Sequence, residues 1–136
     1  MEPSMSNSAV ILAGRILMSV IFLLSGFAKI THLGGTAGYF AGQGLPVPMV
    51  TATIVSLVEL GGGLAILLGF FTRPASILLA VFCVATAFIA HANFADQMQL
   101  INFQKNLAMA GGFLILAAYG AGALSIDARR AGPSFA

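Results

Sequence analysis

Charge is what this sequence has least of: six Lys and Arg and four Asp and Glu are spread over 136 residues, 7% of the chain. A soluble domain carries about a quarter. That scarcity, with 59% hydrophobic residues, excludes a water-soluble globular domain and marks a membrane protein. The formal net charge of +2 is too small for a nucleic-acid surface. Cysteine is almost absent too. With Cys83 alone, no internal disulfide, no cluster of Cys metal ligands and no two-cysteine relay can form, and its apolar surroundings make Cys83 a small buried hydrophobe. His32 and His91 fall at one membrane border without a nearby carboxylate, a weak ligand set, so no metal or haem is expected. A Ser, His and Asp arrangement for acyl transfer is not discernible, and no period of a solenoid or propeller repeats.

What the chain does have is apolar length. About 20 apolar residues cross a bilayer core of about 30 Å, and four such runs fall at about 9–30, 49–71, 74–92 and 102–124. They make residues 1–136 a single transmembrane domain. The connection 31–48, THLGGTAGYFAGQGLPVP, is rich in Gly and Pro; FTRP at 71–74 is a tight hairpin that puts Pro74 in the first turn of the third span. HANFADQMQL at 91–100 is too polar to lie in lipid. The first run is longer than a signal-peptide core, lacks a positive leader and contains Arg15, so it is expected to be retained as a span. Arg15, Arg73, Arg129 and Arg130 belong to one side of this topology, and Lys29 and Lys105 to the other. The expected fold is therefore an all-α, integral membrane, antiparallel four-helix bundle with both termini cytoplasmic.

The few polar residues inside the spans carry the functional question. Glu59 lies about 15 Å from the start of the second span, near the bilayer midplane, where an unpaired carboxylate is costly. It shares a face with Ala52, Ser56 and Gly63, small residues that allow close helix approach. On the first span Arg15, Ser19, Phe22, Gly26 and Lys29 form a matching stripe. On the fourth, Asn102, Lys105 and Asn106 share one face. Because helical side chains lean toward the N-terminus, Arg15 is drawn to the cytoplasmic border and Glu59 outward. Lys105 is thus the expected neighbour of Glu59, with Lys29 above them. Simple alternatives stand beside each assignment: a Glu59–Lys105 tether that fixes helix register, and snorkelling of Lys29 and Arg15 to the headgroups. Asp127 reads as a helix-end charge beside Arg129 and Arg130. Gly61, Gly62 and Gly63 read as close packing and not as a phosphate loop.

Arg15, LLSGFAK (23–29), VELGGGLAILLGFFTRP (58–74), the Lys105–Asn106 pair and GAGALSIDARR (120–130) occur in an order and spacing that resembles the DoxX family of small bacterial membrane proteins. INFQKN and GFFTRP are most similar to a branch of small proteobacterial inner-membrane proteins of unassigned role. The resemblance covers nearly the whole chain. It implies the antiparallel bundle, an inner-membrane location, and motif roles for Arg15, Gly26, Gly62, Arg73, Pro74 and Asp127. For some members it also implies membership of membrane redox complexes, including quinone-linked thiosulfate oxidation and thiol or superoxide stress systems.

Two functions follow as expectations. In one, the chain is a non-catalytic or quinone-binding membrane subunit of a redox or oxidative-stress complex, at most the membrane component of an oxidoreductase. Glu59, Lys105, Asn106, Asn102 and Lys29 then hold a lipophilic carbonyl compound against Phe residues, and a soluble or membrane oxidoreductase subunit brings the cofactor. In the other, it is a scaffold or assembly factor whose buried charges only specify the bundle. Proton or solute passage is disfavoured by the apolar turns between Arg15 and Glu59. Partners expected besides the lipid bilayer are such a subunit or a second copy of the chain, and no nucleic acid.

Overall fold

The computed structural model describes residues 4–131. Six helices follow one another: α1 (Met5–Thr31), α2 (Leu33–Gly42), α3 (Pro48–Leu68), α4 (Thr72–Ala90), α5 (Gln97–Tyr119) and α6 (Ile126–Ala131). No strand occurs among the described residues. α1, α3, α4 and α5 are each long and apolar enough to cross a membrane, and they alternate in direction.

Helix ends account for most of the differences from the hydrophobic runs. α3 stops at Leu68 although Phe70 and Phe71 continue the apolar sequence, because Gly69 turns into the left-handed region at φ 66°. There the Phe70 amide donates back to the Ala65 carbonyl at 2.9 Å, the helix-closing bond of a Schellman turn. α5 starts at Gln97, sooner than hydropathy suggests, since the Asp96 carboxylate accepts from the Met98 and Gln99 amides at 2.9 and 3.4 Å. The polar letters QMQL are thus helix and not loop. The Gly-rich connection is not simply a loop either: ten of its residues form α2, whose Ala37 and Phe40 pack on Ala52 of α3.

The four spans close a ring. Glycines let α1 and α3 approach closely, for a methyl on Gly26 would fall 2.8 Å from Leu60 Cγ and one on Gly63 3.1 Å from Phe22 Cβ. Gly62 does the same for α4, 2.8 Å from Leu79 Cδ2. α4 and α5 lie along each other, and Phe88 meets Phe103 edge-on at 5.2 Å between ring centroids. α5 returns to α1 through side chains: Met18 lies over Gly112, and Phe22 meets Phe113 at 5.4 Å. Between the spans sit Phe22, Ile66, Leu79, Cys83 and Phe113, all buried. Cys83 is the small core hydrophobe its surroundings suggested.

Candidate functional site

The polar residues of the spans gather at opposite ends of the bundle. At the end where α1 and α4 begin, Arg15 is 1% exposed and does not reach the headgroups as expected. It points between helices instead. Its Nε donates to the Ile66 carbonyl at 2.9 Å and Nη2 to Leu67 at 2.9 Å, while Nη1 donates to Ala121 and Leu124, both at 2.8 Å. Leu67 at the end of α3 and Ala121 and Leu124 in the turn after α5 would otherwise be stranded in a bilayer, and Ile66, which also accepts from the Gly69 amide at 3.3 Å, gains a second bond. A planar, always-charged guanidinium with five donors suits four divergent acceptors.

Asp127 is likewise more than a charge beside Arg129 and Arg130. Its Oδ1 accepts from the Phe71 amide at 2.8 Å and Oδ2 from Thr72 at 2.9 Å, so it caps α4 from 55 residues away. It supplies the cap that Phe71, at the N-cap position with φ 46°, lacks a side chain to make. Arg73 completes the set by donating to the carbonyls of Ala117 and Ala118 at 2.9 and 2.7 Å, closing α5. Pro74 sits in the first turn of α4, next to this lock, as expected. Arg130 covers the Phe70 and Phe71 rings, 5.1 Å from each centroid. Three charges thus terminate three helices, and four of Arg15's five donors are used. This capped end holds the bundle shut.

At the other end lies an ion pair. Lys29 Nζ is 3.1 and 3.0 Å from Glu59 Oε1 and Oε2, and it also donates to Ser25 Oγ. Glu59 is the more deeply buried partner, at 7% side-chain exposure against 26% for Lys29. The expected partner of Glu59, Lys105, is on the exposed surface of α5 and joins no ion pair among the described residues. The register explains this. A methyl on Gly26 would fall 3.0 Å from Glu59 Cβ, which sets Gly26 beside Glu59, so Lys29 lies about one turn beyond Glu59 toward the membrane border. Lys29 leans back along α1 and Glu59 leans out along antiparallel α3, so the two side chains converge. The sequence signal for this pair is the N-terminal lean of Lys29, which brings its ammonium inward toward Glu59 and over Ser25, one turn before it on the same face.

Asn106 is buried on α5 and donates to the Asn102 carbonyl at 2.9 Å, while Asn102 is half-buried. Counting outward from the Phe22–Phe113 contact puts Ser25 and Gly26 of α1 level with Ala110 of α5 and Lys29 level with Asn106, with Asn102 about one turn further out. The pair and the two asparagines are therefore on the same side of an aromatic floor made by Phe22, Phe113 and Phe82. Lys105 falls on the flank of that arrangement. Chemically, the group offers an ammonium, a carboxylate and amides beside flat apolar rings.

A small helical membrane protein with helix ends locked by charge and a polar group held between its spans is the class these features define. The chain belongs to the DoxX family, which residues 10–92 match. It is 47% identical over 117 residues to the inner membrane protein YqjF of Escherichia coli (strain K12), covering 86% of this chain and 88% of that protein. It is 40% identical over 130 residues to the inner membrane protein YphA of the same organism, covering 91% and 92%. A shorter match, 33% over 67 residues, is to "Putative oxidoreductase CatD" of Bacillus subtilis (strain 168), covering 49% of this chain and 48% of that one. No solved structure matches the chain. With four spans and these relatives, the chain is a multi-pass protein of the inner membrane.

Proposed function

We propose that this DoxX protein is a membrane subunit of a redox system and that it holds a quinone-like lipophile beside the Lys29–Glu59 pair. The observation that carries this is a charged pair and two amides on one side of a Phe22–Phe113–Phe82 floor, with the Lys29 side chain partly exposed. Small-molecule sites combine a mainly apolar wall with a few convergent polar groups. A ring would stack on the phenyl faces while its carbonyl accepts from Lys29 or from the Asn106 amide. Glu59 keeps the ammonium in place. The oxidoreductase name of CatD, a partial match, is consistent with this direction. Electrons come from a partner, since the chain carries no cofactor motif of its own.

The competing reading is a scaffold, favoured by the bidentate contact of Lys29 with both Glu59 carboxylate oxygens. A titration of purified protein with a short-chain quinone, read by thermal shift, separates the two, because a ligand that binds only the folded state raises its melting temperature. Wild type should shift upward, and Asn106→Leu, an apolar substitute tolerated at helix interfaces in lipid, should fold but shift less. No shift at saturating quinone, or an equal shift in the variant, gives the protein to the scaffold reading.

A further inference from the structure

α5 is the least apolar of the four spans, and it is also the one whose span is least buried by the rest of the chain. A lone bundle in lipid should show the reverse, its most polar helix turned most fully inward. The outward surface of α5 is where the polarity lies. Gln104 and Lys105 are exposed on it, followed by Ala108 and Gly111, and a methyl on Gly111 would meet nothing within 4 Å. The depth of these residues is set from the far end, where Arg73 caps α5 at Ala117 and Ala118. Lys105, 14 residues before Tyr119, is about 21 Å from that end of a core of about 30 Å. An ammonium and an amide thus face outward about two turns inside the membrane border. Exposed surfaces on the other spans are built from residues such as Leu17, Val20, Leu24, Leu57 and Val81.

We infer that this face of α5 docks a transmembrane helix of another protein that carries a carboxylate at the depth of Lys105. Charge decides the occupant. Among the described residues, a second copy of this chain offers no free acid there: Glu59 is held by Lys29, Asp96 caps α5 at its border, and Asp127 caps α4 at the opposite end. A partner's Asp or Glu would pair with Lys105, and Gln104 would add an interhelical hydrogen bond. Ala108 and Gly111 let the partner's backbone come close, as small residues do at helix interfaces in lipid. The surface is independent of what occupies the Lys29–Glu59 site. Anionic lipid headgroups, reached by snorkelling of Lys105, are the alternative neutraliser.

The probe is a synthetic poly-leucine transmembrane helix bearing one Glu at the matching depth, with an all-leucine helix as control. Association with the intact protein is read by energy transfer in uncharged phosphatidylcholine bilayers. The Glu helix should associate at least tenfold more tightly than the control. Lys105→Met should abolish the difference, and Lys105→Arg should keep it. In cells, a photo-crosslinker at Ala108 should give one heterologous product that Lys105→Met removes, while one at Val20 on α1 gives none. Equal association of the two helices, or an unchanged preference in Lys105→Met, overturns the inference and leaves Lys105 to the headgroups. A crosslinked product with the mass of two copies of this chain overturns it in favour of self-association.

Discussion

Arg15 and Gly69 occupy complementary space: a methyl on Gly69 would fall 2.9 Å from the Arg15 guanidinium carbon, and it would also run into Ser125 Cβ. The left-handed turn that ends α3 and the cation that caps it thus exist only together. Gly69→Ala should destabilise the bundle by about 2 kcal/mol or more, from backbone strain at φ 66° plus displacement of Arg15. Gly34→Ala is the control. Gly34 is helical and a methyl there meets nothing, so that change should be neutral or stabilise by roughly 0.5–1 kcal/mol. Unfolding in mixed detergent micelles measures both. Equal effects would mean that the Gly69 turn is not constrained by Arg15.

Removing Arg15 strands the carbonyls of Leu67, Ala121 and Leu124 in an apolar setting, while Ile66 keeps its bond from the Gly69 amide. Arg15→Met should therefore cost about 3 kcal/mol or more, since each buried unsatisfied group costs about 1–3 kcal/mol. Arg15→Lys should recover less than half of the loss despite keeping the charge, because three donors on one nitrogen cannot reach acceptors spread over Ile66, Leu67, Ala121 and Leu124. The check is unfolding of the two variants side by side. If Lys restores wild-type stability, charge and not the fork geometry is what Arg15 contributes.

Apolar run length was enough to reveal four spans, because crossing lipid leaves the backbone little choice but helix. The ends were less legible. α5 begins at Gln97 on a capping bond from Asp96, and α3 ends at a glycine conformation, neither of which changes hydropathy. The identity of the polar residues was also legible, since Arg15, Glu59 and Asp127 stand out in so apolar a chain. Their partners were not. Asp127 meets Phe71 and Thr72 across 55 residues of sequence, and Lys29 displaces Lys105 at Glu59 through a helix register that Gly26 sets by contact with Leu60. Such pairings are decided by rotation of whole helices about their axes, a quantity that spacing within one helix does not contain.

The capped end carries Arg129 and Arg130 as well as Arg15 and Arg73, and cations near span ends favour the cytoplasmic side. We expect both termini there, with the 31–48 and 91–96 connections outside. A membrane-impermeant thiol reagent applied to intact cells should label a cysteine introduced at Gln43 and fail to label one introduced at Arg129. The opposite pattern would invert the orientation without altering the fold.

The Lys29–Glu59 pair gives the most discriminating test of the arrangement within the membrane. Lys29→Met leaves a nearly buried carboxylate without its cation, which should cost about 3–5 kcal/mol. Glu59→Gln should cost less, because the more exposed Lys29 can turn toward the border. If the two interact, the double variant will be less destabilised than the sum, by a coupling of roughly 0.5–3 kcal/mol. Lys105→Met provides the contrast: exposed on α5 and outside the pair, it should add to Glu59→Gln without coupling. The measurement is a pair of double-mutant cycles in the same detergent. Coupling between Glu59 and Lys105 in place of Lys29 would mean that α1 and α5 are rotated from the positions described, and the proposed division between a ligand site inside the bundle and a docking face outside it would fail with them.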